Sequence, residues 1–118
     1  MHATARAARS YIRTAIRTRR AQRTATRAVA TGTASAVAHL TAAGIAPADA
    51  RRFASPFSRG VVPTATTTGR IKLKGRATKR VAIKLYDLRT FVARALVYRP
   101  KDKTAAAAFE RLAYRLAA

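Results

Sequence analysis

The chain has 118 residues, with 25 Lys+Arg against 4 Asp+Glu and a formal net charge of +21. That length admits one domain with an extension, and the absence of Cys excludes disulfide staples, zinc fingers and thiol nucleophiles. Hydrophobic residues make up 49%, but 30 of them are Ala, so a core must form where the larger apolar side chains concentrate.

No stretch approaches the roughly 18 uncharged apolar residues of a membrane span. A charge of +21 repels itself in a compact state unless a polyanion neutralises it. Nineteen of the 25 bases are Arg, whose planar fork binds phosphate bidentately and stacks on bases. Nucleic acid is therefore the expected partner, ahead of an anionic membrane or an acidic protein.

Residues 3–30 hold eight Arg and no acid. Arg6, Arg9, Arg13, Arg17, Arg20, Arg23 and Arg27 follow steps of three or four and fall within roughly 120° of a helix circumference. The other faces are mostly Ala and Thr, with Tyr11, Ile12 and Ile16 as large apolar groups. Residues 1–32 read as a basic arm, partly helical when free and ordered on phosphate, with little to anchor it to a core. A transit peptide shares this character, but here the basic bias continues to residue 86 with Asp49 as the only acid.

Thr31-Gly32-Thr33 interrupts the pattern and opens a second unit, residues 33–118. A helix is expected from Thr33 through Val37 and Leu40, with Gly44 as its C′ residue. Pro47 starts the next helix, with Asp49 near its positive end and Arg51, Arg52 and Phe53 along it. Its end is expected at Ser55-Pro56. Two short helices joined by a Gly-containing turn form a helix-turn-helix pattern.

Val61–Thr68 reads as a loop or irregular strand. Bases and aliphatics then alternate over Arg70–Lys74 and again over Arg80–Leu85, predicting a β-hairpin. Ile71, Leu73, Val81, Ile83 and Leu85 form its apolar face. Its tip and outer face carry Arg70, Lys72, Lys74, Arg76, Lys79, Arg80 and Lys84. Asp87 is placed to cap a helix whose core stripe is Leu88, Phe91, Val92, Ala95 and Leu96. Pro100 ends it, and Thr104 is expected to cap a last helix with Phe109, Leu112, Ala113 and Leu116 inward.

The run Arg80-Val81-Ala82-Ile83-Lys84-Leu85-Tyr86-Asp87-Leu88-Arg89-Thr90-Phe91 resembles the second wing strand and following helix of MerR-like and excisionase-type DNA-binding domains. The resemblance covers about residues 35–98. It implies a mainly α fold with one β-hairpin, a winged helix-turn-helix carrying a basic N-terminal helical arm. It also implies a non-catalytic duplex-DNA-binding factor, regulatory or accessory to recombination or replication, of a bacterial or mobile-element genome.

A helix in the major groove, about 12 Å wide, would read bases through Arg51, Arg52 and Arg59. The hairpin bases would contact backbone phosphate or enter the minor groove, and the arm arginines would contact phosphate. No metal, cofactor or small-molecule substrate is expected. His2 and His39 are far apart, His39 reads as a structural or surface residue, and Asp49 and Asp87 sit where helices begin. Tyr11, Tyr86, Tyr98 and Tyr114 could stack on bases, although Tyr98 and Tyr114 read as core-edge residues. A homodimer and a cytoplasmic, nucleoid-associated location fit this picture. The alternatives are an RNA-binding or ribosome-associated protein, a nucleoid or virion packaging protein, and membrane-surface binding by the arm.

Overall fold

The computed structural model describes residues 2–118, with side-chain surroundings from Thr4 onward. The chain runs α1 (His2–Ala30), β1 (Thr33–Ala34), α2 (Ala36–Ala42), α3 (Pro47–Ser58), β2 (Ala65–Lys72), β3 (Thr78–Asp87), α4 (Leu88–Ala95) and α5 (Lys103–Ala117). It is mostly helical, with one small antiparallel sheet of strand order β1-β3-β2. No helix is long and apolar enough to cross a membrane among the described residues.

Alanine decides how α1 packs. It is one continuous helix of 29 residues, and only its second half is anchored to the body. Ala25 is buried, and Ala15, Thr18, Ala21, Ala28 and Val29 are half-buried on the same face, turned mainly toward α2. These side chains are short, so the two backbones approach closely without any large apolar knob. Gly32, at φ 111°, then redirects the chain into β1. Thr33 and Ala34 pair with Asp87 and Tyr86 at the base of the hairpin.

Ser35 caps α2 by accepting from Ala38 N at 3.2 Å, so the helix begins three residues later than the pattern suggested. Its end is as expected at Gly44, which adopts φ 103°. Gly44 N donates to Thr41 O and Ile45 N to Leu40 O, with Leu40 and Ile45 both buried. That is a Schellman ending, and it sets the angle at which α3 leaves.

The core is aromatic. Phe53 and Phe57 of α3, Phe91 of α4 and Phe109 of α5 are all buried, and Tyr98 packs against Phe57 and Phe109 with centroids 5.3 and 5.0 Å away. His39 is fully inside this core. Its ring stacks on Phe91 at 4.9 Å, and Nε2 donates to Tyr86 O at 2.6 Å. A carbonyl can only accept, so Nε2 carries the proton; Nδ1 is buried with no partner among the described residues. Of the expected α4 stripe, Phe91 and Ala95 are buried and Val92 is half-buried, but Leu88 and Leu96 are exposed. The helix has only eight residues, with Leu88 as its first and Leu96 as the cap just past its end.

Helix starts use the scarce acids. Asp87 Oδ1 accepts from Thr90 N at 2.8 Å, as expected. Asp102, not Thr104, caps α5, accepting from Thr104 N at 2.9 Å and Ala105 N at 3.2 Å. Bonds from the Thr90 side chain and backbone hold the Asp87 carboxyl below its ordinary pKa, and the Ala105 N–H is the main cause for Asp102. Carboxyls held low when folded stabilise the fold above the ordinary carboxylate range, and that contribution is lost as pH falls through their lowered values. The double variant Asp87→Asn with Asp102→Asn keeps cap acceptors that do not titrate. Its thermal midpoint is expected to fall less than that of the wild type between about pH 5 and pH 2, as followed by circular dichroism.

Candidate nucleic-acid interface

α3 has two faces. Ala50, Phe53 and Phe57 are buried, while Ala48, Arg51, Arg52 and Ser55 are exposed on the far side, with Arg59 following the last turn. The helix does not stop at Pro56 but continues to Ser58. A proline in the last turn forfeits one backbone bond, to the Arg52 carbonyl, and the turn is held by other contacts. Ser58 Oγ donates to Ala54 O at 2.8 Å, and Arg94 Nε donates to Phe57 O at 2.7 Å. The continuation places Ser55 beside Arg51 on the exposed face, a position the proline hid from sequence reasoning.

The three α3 arginines differ. Arg52 lies 4.7 Å over the Phe53 ring and 3.6 Å from Asp102 Oδ2, an exposed contact tying α3 to the start of α5. The side chains of Arg51 and Arg59 have no hydrogen-bond or ion-pair partner among the described residues. They are the free cations of this surface.

The hairpin is longer than its alternating stretch suggested. β2 begins at Ala65, inside the segment read as a loop or irregular strand, and pairs through Lys72 with Leu85–Thr78. Threonine and alanine fill its first four positions, which suit a strand without showing an apolar alternation. Ten residues of β3 extend roughly 33 Å at the usual rise. Only Tyr86 of the hairpin joins the buried core, so most of the ribbon projects from the helices.

Register sorts the hairpin side chains. Directly opposed residues share a face, so Arg70, Lys72, Arg80 and Lys84 lie on one side, together with Thr66 and Thr68. Val81, Ile83 and Leu85 lie on the other with Ile71, where Ile83 folds over Gly69. Ile71 and Leu73 remain 46% and 47% exposed. Lys79 pairs with Ile71 and so belongs to the apolar side, while Lys74 and Arg76 sit in the turn beyond the paired strands. Arg70 stands directly opposite Arg80, and residues 64–86 contain no acid. Like charges opposed across strands destabilise a ribbon. Nothing within the ribbon offsets them.

No family profile matches this chain, and it is significantly similar to no curated protein and to no solved structure.

Not every base faces outward. Arg94 and Arg115 donate to Phe57 O and Ala43 O, satisfying carbonyls at the ends of α3 and α2. Arg99 Nη1 donates to Tyr98 O at 2.6 Å. Among the tyrosines, Tyr86 is buried and Tyr98 is held in the aromatic cluster, which leaves Tyr11 and Tyr114 exposed. Tyr114 is 81% exposed and so is not at the core edge. The arginines of α1 at positions 6, 9, 13, 17, 20, 23 and 27 are all exposed. The side chain of His2 lies outside the described residues. Among the described residues no three His, Asp or Glu side chains come together as metal ligands.

Proposed function

We propose that this chain is a non-catalytic duplex-DNA-binding protein of the winged helix-turn-helix type, in which α3 enters the major groove and the hairpin lies along neighbouring phosphates. The observation that carries this reading is the acid-free ribbon with Arg70 facing Arg80. Phosphate on that face converts a repulsive pair into two charge-assisted contacts. The order α2-α3-β2-β3-α4 follows the helix, turn, helix, basic hairpin, helix succession on which the resemblance rests.

Duplex DNA fits better than duplex RNA. α3 exposes Ala48, Arg51 and Ser55, and a B-form major groove admits one helix, whereas the A-form groove is too deep and narrow for side chains to read. The acids also have structural tasks: Asp87 and Asp102 cap helices and Asp49 lies in the first turn of α3. The role that follows is occupancy of a DNA site, as a regulator or a recombination or replication accessory on a chromosome or mobile element.

The test is selection from a random duplex library at about 200 mM salt, where non-specific contacts weaken, with structured RNA as competitor. A recovered motif supports the reading, and two-fold symmetry in it would mark a homodimer. Tight binding without a motif points to packaging, and capture by the RNA overturns the proposal. Within the motif, Arg51→Ala is expected to relax preference at one position by about 1–3 kcal/mol, whereas Lys72→Ala weakens all sequences alike. Affinities measured on single-base variants of the site check this.

A further inference from the structure

Two basic surfaces on this molecule face different ways. α1 turns Ala15, Thr18, Ala21, Ala25 and Val29 toward the body, and its seven spaced arginines lie roughly 160° round the helix from that face. They therefore point away from the domain. α3 likewise buries Ala50, Phe53 and Phe57 and sends Arg51 outward. Each of these helices packs on α2 far more than on the other, so α2 stands between them and their exposed faces diverge. The molecule measures 52 × 43 × 28 Å, and DNA is stiff over such lengths, with a persistence length of about 150 bp. A straight duplex lying on α3 follows the face that α3 turns away from α2, not the face that α1 turns away from it.

We infer that the arginine stripe of α1 is a separate site for a second duplex segment, so that one molecule holds two DNA segments together. The inference rests on the proposed duplex binding by α3 and the hairpin. The chemistry of the stripe suits phosphate: eight Arg in 29 residues with no acid, and the seven at positions 6 to 27 spaced by three or four residues along one side of a rod about 43 Å long. A lipid surface suits it less, because the faces flanking the stripe are Ala and Thr, and Ile12 and Ile16 are too few to insert.

The experiment immobilises one duplex on beads and measures retention of a second, labelled duplex by the full-length protein at about 100 mM salt. Binding to a single duplex is measured in parallel. The test variant carries Arg6→Gln, Arg9→Gln, Arg13→Gln, Arg17→Gln and Arg20→Gln, all exposed positions where Gln keeps good helix propensity. A second variant carries Lys at the same five positions, and circular dichroism establishes that both are folded. The wild type is expected to retain the second duplex. The Gln variant should lose that retention about tenfold or more while its single-duplex affinity falls much less, and the Lys variant should restore it, because the phosphate contact requires the charge. Retention by the Gln variant equal to the wild type overturns the inference, since bridging would then come from another surface or from a dimer. Tight single-duplex binding by the wild type without retention overturns it as well and leaves the proposed function standing. Absence of any duplex binding removes both.

Discussion

Replacing Arg70, Lys72, Arg80 and Lys84 together by Gln is expected to reduce the salt dependence of duplex binding by about 3 to 4 in the slope of log K against log salt. Each neutralised phosphate contributes roughly −0.9 to that slope. The four residues share one face of the ribbon, and Arg70 and Arg80 are direct neighbours across the strands. Over a change from about 50 to 200 mM salt, the removed slope corresponds to on the order of a hundredfold in affinity. The loss should be uniform across sequences, because phosphate contacts carry no base information. The variant should also fold at least as well as the wild type, since the substitution relieves like-charge repulsion. Titrations at four or five salt concentrations decide the matter. An unchanged slope would place these side chains outside the DNA contact and leave the arginine pair without a partner.

Phe109→Ala is expected to destabilise the fold by about 3–5 kcal/mol, the usual range for deleting a buried aromatic side chain. Phe109 is 1% exposed and touches the rings of Phe53, Phe57 and Tyr98 at 5.8, 6.2 and 5.0 Å. It is the point where α5 is fastened to α3 and to the link after α4. Its neighbours are rings held by their own packing on one another, so they relax only partly into the space it leaves. Total stabilities of ordinary domains are about 5–15 kcal/mol, so the variant would be close to unfolding at 37 °C. Phe109→Leu should recover part of the loss, because leucine leaves a smaller cavity than alanine although it makes none of the ring contacts. Thermal unfolding followed by circular dichroism reads both. A shift of only a few degrees for the alanine variant would show that the aromatic cluster does not hold α5 in place.

The parts legible in the sequence are those whose signal is local. The alternation from Arg80 to Leu85 marks a strand because the side-chain period is two, and Asp87 and Gly44 mark helix ends through their own chemistry. What escaped depends on partners elsewhere in the chain. β1 is two residues long and exists only because Asp87 and Tyr86 pair with it. The packing of α1 rests on Ala25 and its small neighbours, and alanine and threonine are spread over all of that helix outside the arginine stripe, so no periodicity announces the buried face. Pro56 looks like a terminator in isolation, yet the bond from Arg94 to Phe57 O steadies the turn containing it. The candidate site was visible as charge but not as a sorting of charge. Nothing in the spacing says that Arg52 leans toward Asp102, or that Arg94, Arg99 and Arg115 are committed to carbonyls.

The exposure of α1 has a consequence for how the chain meets proteases. From Thr4 to Thr14 every side chain is exposed all the way round, so this half of the helix packs on nothing, while Ala25 and Val29 hold the other half. Backbone that packs on nothing opens by local unfolding at little cost. Trypsin cleaves after Arg and Lys, so Arg6, Arg9 and Arg13 should be nicked well before Arg23 or Arg27. The remaining fragment should keep its aromatic core and its hairpin. Partial digestion with and without DNA then yields a footprint in which each surface reports separately: shielding after Arg70–Lys84 marks the ribbon, and shielding after Arg6–Arg20 marks the helix.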